Sequence, residues 1–133
     1  MKTKYIVISI FVIMTALFQQ IKSQNQTVGW TKLNFTPNQY LYSVYCLDYN
    51  TVIAVGANGY IIKTNDGGSN WYPVSSNTSN DLYKISFVNK TTGYAVGCKG
   101  TILKTTDEGQ SWSNIGINSS FNLYSLSFIN KDT

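Results

Sequence analysis

Asp66 and Asp107 stand in nearly identical settings. The chain reads KTNDGGSNW at residues 63–71 and KTTDEGQSW at 104–112, one Lys-Thr-x-Asp-x-Gly-x-x-Trp frame written twice, 41 residues apart. Two carboxylates of this kind could hydrolyse a glycosidic bond, with an acid and a base or nucleophile flanking it. They could also ligate calcium through oxygen. Each Asp, however, sits alone in its own frame, and the frame reads as a turn. An Asp that opens a tight turn accepts backbone N–H groups and holds the turn closed. Gly68 and Gly109 suit a position of positive φ. Glu108 stands where the first copy has Gly67, so that neighbouring position is read as not needing glycine. The Trp then covers the hairpin with a large apolar face. The residues assigned to this structural turn are Thr64, Asp66, Gly68 and Trp71 in the first copy, and Thr105, Asp107, Gly109 and Trp112 in the second. No catalytic residue is assigned.

Other chemistries lack their residue types. The chain has no His, and its two cysteines, Cys46 and Cys98, form no CxxC pair. A zinc site therefore has almost no ligands to draw on, and no metal or cofactor is expected. There is no Ser/His/Asp set, no Cys/His pair and no glycine-rich phosphate loop before a helix. Spacing alone does not establish a bond between the cysteines; Cys46 reads as a small buried hydrophobe.

The first residues, MKTKY, are basic; residues 6–18, IVISIFVIMTALF, are apolar; QQIKSQ follows. The apolar run is shorter than the roughly 20 residues of a membrane span and fits a secretory signal peptide over 1–23, with cleavage after Ser23. Export to the periplasm, cell surface or medium is the expectation, without stable membrane insertion afterwards. Cleavage removes Lys2, Lys4 and Lys22, so the net charge falls from +4 to +1, seven Lys against six acids. The mature chain then has no strong basic field for nucleic acid. Five Asn-x-Ser/Thr triplets, at Asn25, Asn34, Asn77, Asn89 and Asn118, matter only in a glycosylating host.

What positions the two frames is an internal repeat. Leu41-Tyr42, Leu82-Tyr83 and Leu123-Tyr124 recur at 41 residues, as do Val55-Gly56 and Val96-Gly97, Gly59 and Gly100, and Trp30, Trp71 and Trp112. Within one period, residues 41–48, 51–56, 60–64 and 71–75 read as four strands, punctuated by Asn, Asp and Gly turns. Val44 and Cys46 correspond to Ile85 and Phe87, and then to Leu126 and Phe128, a period-two face that should pack on neighbouring sheets. Pro73 belongs on an outer edge strand, where a missing donor is tolerated. Four strands per repeat of this length predict an all-β fold, a β-propeller of four-stranded antiparallel blades. The expected organisation is a closing strand at 29–35, blades at 41–75 and 82–116, and the start of a further blade at 123–133. About two and a half blades fall short of a closed ring of four to eight, so the chain reads as the N-terminal portion of a longer protein.

The two frames resemble the Asp-box, or BNR, repeat, Ser/Thr-x-Asp-x-Gly-x-Ser/Thr-Trp. The second copy matches in full, and the first departs at Asn70. The whole unit, most clearly YAVGCKGTILKTTDEGQSW, resembles the photosystem II assembly/stability factor family of propellers over residues 30–133. That resemblance implies a hairpin between the third and fourth strands of each blade and a binding role. The family's Arg-rich partner patch has no counterpart in this Arg-free chain, nor has the Arg triad with which sialidases, which share the Asp box, hold a carboxylate. The reading is a secreted, non-catalytic scaffold that binds a protein or a surface glycan, with residues 36–40, 57–59, 76–81, 98–100 and 118–122 on its binding face. Of the acids, only Asp81 falls clearly on that face. The alternative is a glycan-binding or glycoside-hydrolysing propeller whose carboxylates lie beyond Thr133.

Overall fold

The structure, a computed structural model, describes residues 39–128. The signal peptide and closing strand expected at 1–23 and 29–35 lie outside the described residues. Two four-stranded antiparallel sheets follow one another. The first contains β1 (Leu41–Cys46), β2 (Val52–Gly56), β3 (Ile61–Thr64) and β4 (Tyr72–Val74). The second contains β5 (Leu82–Phe87), β6 (Gly93–Gly97), β7 (Ile102–Thr105) and β8 (Ser113–Asn114). In each, the strands lie side by side in chain order, which is the arrangement of a propeller blade. Pro73 is in β4, an edge strand.

The strands form where β-branched and aromatic residues cluster, and short polar turns end them. Asp48 Oδ1 accepts the N–H groups of Asn50 at 2.9 Å and Thr51 at 2.8 Å, closing the β1–β2 turn. Asn89 Oδ1 does the same for Thr91 at 3.0 Å and Thr92 at 2.8 Å in the second sheet. The β2–β3 and β6–β7 connections are 3-10 turns at Ala57–Gly59 and Cys98–Gly100, each with a left-handed pair: Asn58 and Gly59 at φ 55° and 70°, Lys99 and Gly100 at φ 55° and 69°.

The core lies between the sheets. Ile53, Val55 and Ile61 from the first meet Ile85, Phe87, Ala95, Leu103 and Trp112 from the second, with Tyr45, Leu47 and Val74 half-buried around them. Each fully buried aliphatic side chain contributes about 1.5–3 kcal/mol. The first strands touch directly: Ser43 Oγ accepts the Ile85 N–H at 3.3 Å, and the Tyr45 and Phe87 rings lie 5.1 Å apart.

One expectation about the first strand is corrected. Ile85 and Phe87 are buried, whereas Val44 and Cys46 are exposed. The second sheet covers the opposite face of β1, and among the described residues no further sheet covers the face that Val44 and Cys46 share. Cys46 is therefore not a buried hydrophobe; it and Cys98 are both free thiols. Residues 123–128 run beside the second sheet without strand structure: Leu123 N–H donates to Gly97 O at 2.9 Å, and the Phe128 ring lies 5.2 Å from that of Tyr94.

Candidate functional site

Each Asp frame folds into a turn linking the third and fourth strands of its sheet. Thr64 Oγ1 donates to Asp66 Oδ1 at 2.8 Å and accepts from the N–H groups of Asp66 at 3.2 Å and Gly68 at 3.0 Å. Asp66 Oδ1 also accepts the Asn70 N–H at 2.9 Å, and its Oδ2 accepts the Asn70 side-chain amide at 2.7 Å. In the second copy Thr105 Oγ1 donates to Asp107 Oδ1 at 2.7 Å and accepts from Gly109 N–H at 2.9 Å. Asp107 Oδ1 accepts the N–H groups of Gln110 at 3.0 Å and Ser111 at 2.9 Å, and Oδ2 accepts the Ser111 hydroxyl at 2.6 Å. The departure at Asn70 is thereby explained: its amide gives the carboxylate the donor that the Ser111 hydroxyl gives in the matching copy.

These donors favour the ionised form. The Asn70 N–H and amide, then Thr64, hold the Asp66 carboxyl at a pKa of about 2. For Asp107 partial burial pushes upward, but the Ser111 hydroxyl and N–H, Thr105 and Gln110 together outweigh it, again to about 2. A carboxylate whose two oxygens are both engaged and which stays ionised is a poor proton donor. Trp71 Nε1 donates to Gly68 O at 3.1 Å, while Trp112 is buried edge-on to Phe87 with ring centroids 6.2 Å apart. Gly68 and Gly109 have φ of 92° and 78°. Position 67/108 differs from its expected indifference to glycine: Gly67 and Glu108 are both left-handed, at φ 68° and 61°. Glu108 holds a conformation that glycine adopts without strain. Among the described residues no three of His, Cys, Asp or Glu come together as metal ligands.

The other end of the sheets gathers the loops 57–59, 76–81, 98–100 and 118–122; residues 36–38 lie outside the described ones. Asp81 Oδ1 accepts the Asn58 N–H at 2.9 Å and Asp81 O accepts the Cys98 N–H at 2.9 Å. Asn122 Oδ1 repeats the first bond one period later, accepting from Lys99 N–H at 3.2 Å. Asp81 is thus a clip between consecutive repeats. Beside it Asn80, Lys99, Thr101, Asn114 and Asn118 line a polar cleft of about 290 Å³. A larger apolar cleft, about 770 Å³, is lined by Leu41, Val44, Ala54, Ile62 and Trp71 on the first sheet.

The structure also assembles residues to which the sequence reading gave no role. Tyr42, Tyr83 and Tyr124 form one row of rings, with centroids 5.8 Å apart at 42° and then 5.0 Å apart at 24°. Partial burial, then the neighbouring Cys98, Asp81 and Tyr124, raise the Tyr83 phenol above its usual pKa. The recurrence of Leu-Tyr every 41 residues was the available signal.

A family profile described as photosynthesis system II assembly factor YCF48 matches residues 22–125. The chain belongs to this YCF48 family. A solved structure described as YCF48 bound to D1 peptide is 31% identical, with a TM-score of 0.54 over 65% of this chain and 29% of that one. YCF48 from Cyanidioschyzon merolae, at 22% identity and a TM-score of 0.59, shares the fold over 68% of this chain and 30% of that one. The chain thus spans about three-tenths of the length of these YCF48 structures. No curated protein matches it.

Proposed function

We propose that this YCF48-family chain is an exported, non-catalytic propeller scaffold that binds a segment of another protein. The observation that carries the reading is the family match together with a 31% identical relative described as bound to a peptide. The Asp-box residues Thr64, Asp66, Gly68, Trp71, Thr105, Asp107, Gly109 and Trp112 act as turn-holders. Support comes from the saturation of both carboxylates by donors within their own turns. Asp81, the one acid among the described residues on the loop end, is engaged as a clip between repeats. That leaves it badly placed to join a pair of carboxylates flanking a glycosidic bond. Export rests on the basic start and short apolar run, with residues 1–23 removed as a signal peptide. The photosynthetic role of the family is not carried over.

The test is binding by the mature chain, residues 24–133, immobilised and offered a random peptide display library and, separately, a glycan array. Sequence-selective peptide capture supports the reading; glycan capture without peptide capture overturns it. Intact mass of the exported protein checks the signal peptide: an N-terminus at Gln24 is expected, and retention of Met1 in the exported pool would contradict it.

A further inference from the structure

The core uses one face of each sheet, and the 41-residue repeat puts a counterpart of each covered face on the outer side of the other sheet. The second sheet meets the first through Ile85, Phe87, Ala95 and Leu103. Their counterparts on the first sheet are Val44, Cys46, Ala54 and Ile62. Ala54 and Ile62 line the apolar cleft together with Val44, which is 59% exposed. The first sheet meets the second through Ile53, Val55 and Ile61. Their counterparts Tyr94, Val96 and Ile102 lie on the far face of the second sheet, because side chains alternate along a strand. The chain therefore carries, on its two outer faces, both halves of an interface that it has already formed once.

We propose that the outer face of the first sheet receives the far face of the second sheet of another copy of this chain, in head-to-tail contact. The differences between the repeats point to this occupant. Inside the chain Ile53 is seated on Gly109, and the Tyr45 ring packs on that of Phe87 at 5.1 Å. Across the two outer faces Tyr94 stands for Ile53, Ser86 for Tyr45, Cys46 for Phe87 and Gly68 for Gly109. Tyr94 needs more room than Ile53, and Ser86 and Cys46 each leave room. An interior tolerates exchange of volume better than added volume. The lysine on the far face fits too. Lys104 Nζ lies 5.9 Å from the Tyr94 ring centroid, and its counterpart Lys63 is only 4% exposed in the first repeat. Lys84 replaces Ser43, so the bond from the Ile85 N–H to Ser43 is not repeated and the contact is mainly apolar. Residues 123–128 lie beside the second sheet, with Phe128 against Tyr94. They repeat the Leu-Tyr start of β1 and β5 but have no strand structure. The β1 strand of the second copy, backed by its whole sheet, takes their place. Such a contact is heterologous, and it makes a ring where the rotation closes. With two blades per copy, a ring of four to eight blades holds about two to four copies.

The experiment measures the mass of the mature chain, residues 24–133, by light scattering and sedimentation over a range of concentrations. Reductant is present, so that the free thiols of Cys46 and Cys98 form no bond between copies. Wild type is compared with Val44→Glu, Cys46→Phe and a control, Tyr49→Glu, at a side chain 82% exposed in the β1–β2 turn. Circular dichroism and melting confirm that each variant is folded. Concentration-dependent assembly is expected, and Val44→Glu should weaken it about tenfold or more. Cys46→Phe should weaken it as well, because it fills the room that Tyr94 needs, while the control leaves it unchanged. Monomer at every concentration overturns the proposal, and so does assembly that Val44→Glu leaves intact. Assembly weakened by Val44→Glu but strengthened by Cys46→Phe overturns the occupant: the face would then be meeting a surface like that of Ile53 and Tyr45, which a Phe at this place suits.

Discussion

Ile53 of the first sheet is seated on Gly109 of the second: a Cβ at Gly109 would lie 2.4 Å from Ile53 Cδ1. The Asp-box glycine therefore meets two demands at once. Its φ of 78° favours a residue without Cβ, and the neighbouring sheet fills the space that a Cβ would occupy. The turn motif is in this way part of the contact between repeats, and the 41-residue spacing carries both.

Gly109→Ala is expected to destabilise by about 2–5 kcal/mol, combining left-handed strain of ~1–2 kcal/mol with overpacking of ~1–3 kcal/mol. Gly67→Ala provides the comparison. At φ 68° its added Cβ would meet only Tyr49 O, at 3.8 Å, so it is expected to show the strain part alone. Urea unfolding of both variants checks this; equal losses would remove the packing role of Gly109.

Acid should unfold the protein through the two boxes. The carboxyls of Asp66 and Asp107 fall from 3.8 in the reference state to about 2 in the fold. The unfolded chain thus binds protons first as pH drops. Their contribution is complete above about pH 4 and is lost as pH falls towards 2. Melting temperature followed from pH 6 to pH 2 is expected to fall mainly below pH 4, and the Asp66→Asn/Asp107→Asn double variant should flatten that slope. An unchanged slope would assign acid sensitivity to other groups.

Lys99 adopts φ 55°, the conformation that Asn58 holds at the same place in the first sheet. Asn tolerates this region better than Lys because its short polar side chain bonds locally. Lys99→Asn is expected to stabilise by a few tenths to about 1 kcal/mol, read as a raised urea midpoint, and Asn58→Lys should do the reverse. A loss in Lys99→Asn would mean that the lysine side chain is needed where it stands.

The repeat made much of this architecture legible. Strand positions, the order of turns and the edge position of Pro73 follow from periodic apolar runs and their punctuation, and the ladder was found within a residue or two of where the runs placed it. What sequence could not supply was what lies across from each side chain. Cys46 matches Phe87 in the alignment of repeats but not in burial, because burial depends on a neighbouring sheet that the local pattern does not encode. Glu108 concealed a left-handed position, since one non-glycine residue in two copies reads as permission when it is strain. The tyrosine row was visible as spacing only; Tyr42 and Tyr83 each sit at a break in strand register, which no single repeat declares.

Register also accounts for the odd pair at the end of the first strand. Phe87 sits opposite Gly93, and Cys46 sits opposite Val52 at the same place one repeat earlier. A Cβ on Gly93 would lie 2.6 Å from the Phe87 ring, so the large aromatic is accommodated by the missing side chain across from it. Where the aromatic is replaced by Cys, the residue across from it is the β-branched Val52. Gly93→Val alone is expected to destabilise by about 1–3 kcal/mol through overpacking, and Phe87→Cys alone by about 3–5 kcal/mol through the cavity left behind. The double variant, which writes the first repeat's pair into the second, should lose less than the sum, with a coupling of about 1–3 kcal/mol. Chemical unfolding of the four proteins of this cycle measures it. Strict additivity would show that the two positions are not energetically coupled.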